Sequence, residues 1–278
     1  MHTRGETTGT ARGGGATAIG HATSADGTRI GFTISGDGPP LVLVHGTSGD
    51  HTRWESIQPA LEERFTVYAL DRRGRGLSGD AATYAIAREF EDVAAVIDSI
   101  GGAVDVLGHS YGALCAMEAA LLTRHVGRLV LYEPPLRTGE PIYEHGQRER
   151  LDEMLERGQR EEVLTTFFSE VVGMSEAELA LMRGAPGWSG RLAAAHTIPR
   201  EFADGDHVLD PTRFEGLTAP VLLLAGSESA PFLRAATEAA REALPNSRGV
   251  VMEGQAHVAI NTAPELFTRL VIEFLTEA

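Results

Sequence analysis

The sequence predicts an α/β fold built on a mostly parallel sheet. Three observations predict it: short apolar runs recur along the chain, helical patterns lie between them, and a glycine-rich turn joins one run to one helix. A parallel sheet covered by helices on both faces needs strands that are apolar throughout. Residues 41–44, 65–70, 104–107, 128–131, 221–224 and 249–252 are such runs. Residues 29–34 alternate instead and lead into the turn signal Gly36-Asp37-Gly38-Pro39-Pro40. Phe90, Val93, Ile97 and Ile100 recur at helical spacing, as do Leu266, Leu270 and Phe274. Gly101-Gly102 is placed to stop the first of these helices. Thr262-Ala263-Pro264-Glu265 reads as a capping box with proline in the first turn of the last one.

With 278 residues, 42% of them hydrophobic, the chain has material for one large core. A net charge of −15 argues against a nucleic-acid partner, because nothing would neutralise phosphate, and it disfavours an anionic membrane surface. No run approaches the roughly 20 apolar residues of a membrane span. The sequence contains no lysine, which excludes Schiff-base chemistry through that side chain. The single cysteine, Cys115, excludes an intramolecular disulfide and fits a reducing compartment, so a cytoplasmic location is expected. It sits in the run Leu114-Cys115-Ala116-Met117 and reads as a small core residue.

Residues 1–20 are rich in Gly and Thr, lack the apolar segment of a secretory signal, and are expected to form a disordered tail. Residues 136–213 show no strand pattern. Charged helical stretches at 147–157 and 161–170 fill them, interrupted by Pro186-Gly187-Trp188-Ser189-Gly190. An all-helical insertion between parallel strands is expected to be a lid over their carboxyl ends, where ligands bind in open α/β sheets. The expected organisation is therefore a tail over 1–20, a core of 21–135 and 214–278, and a lid over 136–213.

The run at 104–107 leads directly into Gly108-His109-Ser110-Tyr111-Gly112 and then a helix-forming stretch. Glycines there permit a sharp strand-to-helix turn that lifts the serine hydroxyl clear, with the helix N-terminus behind it. His257 follows the last apolar run in Glu253-Gly254-Gln255-Ala256-His257, where a general base for Ser110 would stand. His45-Gly46-Thr47-Ser48-Gly49 follows the run at 41–44. The backbone N–H groups of Thr47 and Tyr111 are candidate oxyanion donors, worth roughly 3 kcal/mol each in such a role. His45 reads as a residue that orients this loop. In the lid, Trp188, Phe167, Phe168 and Phe202 are candidates for facing a ligand. Trp188 is singled out because of its Gly/Pro-rich surroundings, and His109 because it neighbours Ser110. No His-Glu-x-x-His pair, carboxylate cluster or dinucleotide fingerprint occurs, so neither metal nor cofactor is expected.

Taken together, the strand–His-Gly loop, Ala69-Leu70-Asp71-Arg72-Arg73-Gly74-Arg75-Gly76-Leu77-Ser78, the Gly-His-Ser-Tyr-Gly turn and the terminal Gly-Gln-Ala-His resemble the α/β-hydrolase superfamily over about residues 25–278. The resemblance implies a mostly parallel eight-stranded sheet flanked by helices, a helical cap, and a Ser–His–acid triad. It implies that the loop at 71–78 is structural, with charges that pair locally. Most relatives carry the triad acid as Gly-x-x-Asp after the strand equivalent to 221–224. This chain has Gly226-Ser227-Glu228-Ser229 there. Glu228 is one candidate acid. The other, favoured here, is Glu133 in Tyr132-Glu133-Pro134-Pro135, which Pro134 is expected to hold extended. Haloalkane dehalogenases and fungal zearalenone-type lactonases place their acid after this strand, and the serine at position 110 sets dehalogenation aside. The expected activity is cofactor-free cleavage of an ester or lactone on a small-molecule substrate. The alternatives are non-hydrolytic chemistry on the same fold (cyclisation, epimerisation, carbon–carbon cleavage, perhydrolysis) and a non-catalytic ligand-binding role.

Overall fold

A computed structural model describes residues 17–277 apart from 186 and 204. In chain order it contains β1 (Ala18–Thr23), β2 (Arg29–Ser35), β3 (Pro40–Val44), α1 (Gln58–Glu62), β4 (Thr66–Leu70), α2 (Ile86–Ile100), β5 (Val104–His109), α3 (Tyr111–Ala119) and β6 (Val126–Tyr132). Four short helices follow: α4 (Gln147–Glu156), α5 (Arg160–Thr166), α6 (Glu176–Arg183) and α7 (Trp188–Ala194). The chain then returns through β7 (Val221–Gly226), α8 (Pro231–Ala243), β8 (Ser247–Met252), α9 (Ala259–Thr262) and α10 (Pro264–Leu275). One eight-stranded sheet runs in the order β1-β2-β4-β3-β5-β6-β7-β8. β2 pairs antiparallel with β1 and β4, and every other pair is parallel. This is the α/β-hydrolase fold.

The apolar strand runs make sense once each strand is divided between the two faces. Val42, Val44, Val106, Leu129, Leu131 and Leu223 join one cluster, with residues of α2, α3 and α8. Leu41, Leu43, Leu107, Val130, Leu222 and Leu224 join another, with α1 and α10. The helices of the β6–β7 segment build a third cluster of their own around Leu151, Leu164, Phe167 and Phe202. As expected, Gly101 ends α2 with φ of 76°. Gly108 and Gly112 allow α3 to start hard against the sheet. A Cβ on Gly112 would stand 2.2 Å from the Val44 carbonyl oxygen, and one on Gly108 would stand 2.5 Å from Ala113 Cα.

Some expectations need correction. The tail expected over 1–20 falls largely on residues 1–16, outside those described, but Ala18 begins the edge strand β1. Thr262 does not cap α10. It ends α9, its hydroxyl bonds the Gln255 side chain, and Ala263 takes the N-cap position without a side-chain bond. A capping box does occur, but at Ser175 and Glu178 on α6. Glu133 is not extended. Its φ is 50°, since tertiary bonds described below outweigh the bias imposed by Pro134.

Replacing Gly112 by alanine forces a methyl group against backbone on a neighbouring strand, so Gly112→Ala should cost about 1–3 kcal/mol. A urea unfolding midpoint shifted downward relative to wild type checks this.

Candidate active site

The carboxyl ends of β3, β5, β6 and β8 deliver the predicted site residues to one place. β5 ends at His109, and Ser110 forms the turn into α3 with φ 55° and ψ −127°. Its backbone is fixed on both sides. The Ser110 N–H donates to the Tyr132 carbonyl (2.8 Å), and its carbonyl accepts from the Ala113 N–H (2.8 Å). Among the described residues, three non-glycine positions have positive φ: Ser48, Ser110 and Glu133. All three belong to the loops meeting here. Such conformations cost of order 1–3 kcal/mol and persist where surrounding structure over-determines them.

Glu133, fully buried, follows β6. Its Oε2 accepts from His257 Nδ1 at 2.5 Å and its Oε1 from the Gly226 N–H at 2.8 Å. Donation from Nδ1 leaves Nε2 as the acceptor nitrogen of His257. Glu228, the other candidate acid, is exposed; its carboxylate accepts from the Ser227 hydroxyl (3.2 Å) and its N–H donates to the Gln255 carbonyl (2.9 Å). The loop carrying His257 is clamped in turn by Tyr132. The phenol donates to the Ala256 carbonyl (2.5 Å) and accepts from the Ala259 N–H (3.1 Å), so it grips the chain on both sides of the imidazole. No pattern in the sequence singles out Tyr132, whose role arises from register alone.

His109 Nε2 donates to the His257 carbonyl (3.1 Å), while its Nδ1 is buried without a partner. Burial, with the nearby Arg53 charge, pushes its pKa well below the ordinary range, so the ring is neutral. His45 is neutral for the same principal reason. Its Nδ1 donates to the Gly46 carbonyl and its Nε2 accepts from the Arg72 N–H, which holds the 45–49 loop in place as expected. In that loop the Thr47 N–H has no acceptor among the described residues, and the same is true of the Tyr111 N–H at the start of α3.

Ser110, His257, His109, Thr47, Phe167 and Phe168 all face one cavity of about 320 Å³, the scale of a small-molecule site. A small lobe of about 20 Å³, bounded by Tyr111, Tyr143 and Leu233, adjoins Ser110 and His257 on another side. Trp188 does not line either space. It starts α7 and packs into the helical cluster of the β6–β7 segment. Phe202 likewise packs inside that cluster, stacked on Tyr143 with ring centres 3.8 Å apart. Cys115 is free and fully buried, as a core residue should be. No group of three or more metal-ligating side chains occurs among the described residues, and no helix is long and apolar enough to cross a membrane.

The charged side chains of the loop at 71–78 form their ion pairs at long range, while the bonds from the Leu77 N–H to the Asp71 carboxylate and from Arg75 to the Arg73 carbonyl are local. Arg72 holds Glu89 of α2 and Glu201 of the β6–β7 segment; Arg75 also bonds Glu201; Arg73 bonds Asp92 and Asp26. Glu201 accepts a further bond from the Thr47 hydroxyl (2.6 Å). One buried carboxylate thus ties the helical segment to the proposed oxyanion loop.

The chain matches the alpha/beta hydrolase family over residues 41–270. The chain belongs to that family. Among crystal structures, it is similar to an alpha/beta hydrolase from Sphaerobacter thermophilus at 38% identity, with a TM-score of 0.82, over 92% of this chain and all of that one. It shares its fold with the esterase RhEst1 from a Rhodococcus species (24% identity, 93% and 98% covered, TM-score 0.76). It also shares it with the enol-lactonase of Burkholderia xenovorans (23% identity, 93% and 100% covered, TM-score 0.71). Curated relatives match over shorter stretches. A soluble epoxide hydrolase of a Corynebacterium species is 37% identical over 94 residues, 33% of each chain. An uncharacterised Mycobacterium tuberculosis protein is 36% identical over 110 residues, 38% of this chain and 32% of that one. The matched stretch of the hydrolase thus spans about a third of the length of these relatives.

Glu89 supplies a pH test of the buried charge cluster. Burial alone would raise its pKa, but the Arg72 and Arg75 guanidiniums outweigh burial and hold it at about 2. A depressed carboxylate contributes stability that is fully present above the ordinary carboxylate range and is lost as pH falls through about 2. Glu89→Gln should therefore destabilise the protein by about 3 kcal/mol at pH 7 and by progressively less below pH 4. Urea unfolding of both proteins across that range measures the gap.

Proposed function

We propose that this hydrolase cleaves a carboxylic ester or lactone, without a cofactor, through Ser110, His257 and Glu133. The observation that carries the reading is the buried Glu133–His257 hydrogen bond, which leaves His257 Nε2 as a base on the cavity shared with Ser110. A carboxylate so placed fixes the tautomer of the imidazole and stabilises the imidazolium formed during attack. The likeness in fold to an esterase and an enol-lactonase supports the same chemistry.

The reaction runs in two balanced halves. Ser110 Oγ bonds the substrate carbonyl carbon as its proton passes to His257 Nε2, and the carbonyl electron pair moves onto oxygen. The unpartnered N–H groups of Thr47 and Tyr111 receive that oxyanion. Collapse breaks the bond to the alcohol, which leaves with the proton from His257. Water then attacks the acyl-enzyme in the same manner, with Ser110 as leaving group. Residues 136–213 act as the lid over a core of 21–135 and 214–278. Phe167 and Phe168 from the lid form apolar walls that keep bulk water from the serine.

Turnover of p-nitrophenyl acetate tests the assignment. Ser110→Ala should abolish it. Glu133→Gln should lower kcat by about 10⁴-fold, the scale of losing the correct tautomer. Glu228→Gln should remain within about two-fold of wild type, as an exposed substitution does. Equal losses in the two glutamine variants would contradict the triad.

A further inference from the structure

Two arginines on the main cavity have no place in the chemistry above. The described structure buries four arginine side chains: Arg53, Arg72, Arg73 and Arg75. The last three each pair with carboxylates. Arg53 does not. It is 9% exposed, lines the cavity, and bonds only the neutral Asn261 side chain (2.6 Å). Arg191, from α7, lines the same cavity. It donates to the Ser48 hydroxyl (3.1 Å), packs beside the Phe168 ring, and likewise pairs with no carboxylate among the described residues.

Among the described residues, none of the acids on the cavity wall forms an ion pair with either arginine. Asp50 is bonded by the Thr52 N–H and hydroxyl, and Glu178 is occupied by the Ser175 cap. Glu55 lies exposed. Burial, and next the charge of Arg191, push the Arg53 pKa down to about 9, so Arg53 stays charged at neutral pH in a setting that disfavours charge. Buried cations are retained where a counter-charge is supplied; the Asp50 charge offsets part of the cost at Arg191, while among the described residues no carboxylate pairs with Arg53.

We propose that Arg53 and Arg191 bind an anionic group, a carboxylate, carried at one end of the ester or lactone whose carbonyl Ser110 attacks. The inference rests on the esterase reading and names its substrate class. A guanidinium matches a carboxylate in shape and charge, and its remaining N–H groups are free to form parallel bonds. Apolar side chains such as Phe168, Val172, Met174 and Met182 surround the rest of the cavity, suiting a short hydrocarbon link between the two polar ends. The overall charge of −15 makes this patch an exception to the molecule's field. Two local cations that repel each other then hold an anion the rest of the surface would turn away.

Two matched substrate pairs test it: monoethyl adipate against ethyl hexanoate, and 4-acetoxybutanoate against butyl acetate. They place the carboxylate on the acyl side and on the alcohol side of the scissile bond. In wild type the anionic member of at least one pair should be favoured in kcat/KM by about thirtyfold. That ratio should fall towards one in Arg53→Gln and in Arg191→Gln. Because the ratio is internal to each variant, partial loss of folded protein does not mimic the effect. A ratio of one or less in both pairs for wild type, or a ratio unchanged in both variants, overturns the proposal. If no ester is turned over, the esterase reading fails by itself. Calorimetric titration of Ser110→Ala with adipate then decides the inference: binding that weakens at least tenfold when Arg53→Gln is added supports it, and no binding overturns it.

Discussion

The hydrogen bond between Glu133 and His257 is the constraint around which the candidate site of this α/β-hydrolase family member is organised. It joins the residue after β6 to the loop after β8, and the second oxygen of Glu133 is taken by a backbone N–H at the end of β7. Three neighbouring strand ends are therefore locked by one carboxylate. A buried carboxylate left without donors would be costly, so the loops settle where its lone pairs are satisfied. The positive φ of Glu133 follows from that demand, because the side chain reaches both partners only from a backbone turned out of the strand. Tyr132, one residue earlier, uses the same strand end to clamp the chain on either side of His257.

A second buried carboxylate links the helical β6–β7 segment to the loops of the candidate site. Glu201 lies in the helical segment, yet its partners are Thr47 of the loop after β3 and two arginines of the loop after β4. The segment is thus held by more than apolar contact. It supplies a charge without which Arg72 and Arg75 would rest on Glu89 alone, and it holds the residue whose N–H faces the proposed oxyanion site. Sheet, loops and helical segment share one network of charge-assisted bonds, which favours a single arrangement of the site.

The sheet was legible in the sequence because buried parallel strands are apolar without interruption, and each expected run from 29 to 252 falls within or beside an observed strand. β1 was missed because only Ala22 of its six residues is buried, so no periodic signal separates it from a tail. Ser110 and His257 stand out in the sequence for another reason: a Gly-x-Ser-x-Gly turn and a histidine after the last strand are local motifs, and the structure brings both to one cavity. Glu133 was favoured over Glu228 on position in the chain, although its backbone was expected to be extended, and the structure brings Glu133 to His257 by the opposite conformation. Trp188 packs in the helical cluster and does not line the cavity, because burial there depends on how short helices pack, which composition does not record. Arg53, Arg191, Glu201 and Tyr132 lie outside every motif. Their significance comes from partners up to 208 residues away, or from forming no ion pair with a carboxylate among the described residues.

The central claim is that Ser110 becomes nucleophilic because His257, held by Glu133, accepts its proton. Covalent labelling by a fluorophosphonate probe, followed by peptide mapping and a measured rate of modification, tests it most directly. The account predicts a single modified residue, Ser110, and modification slowed by orders of magnitude in His257→Ala although the serine is intact. An unmodified protein, or labelling at an undiminished rate without the imidazole, would contradict it.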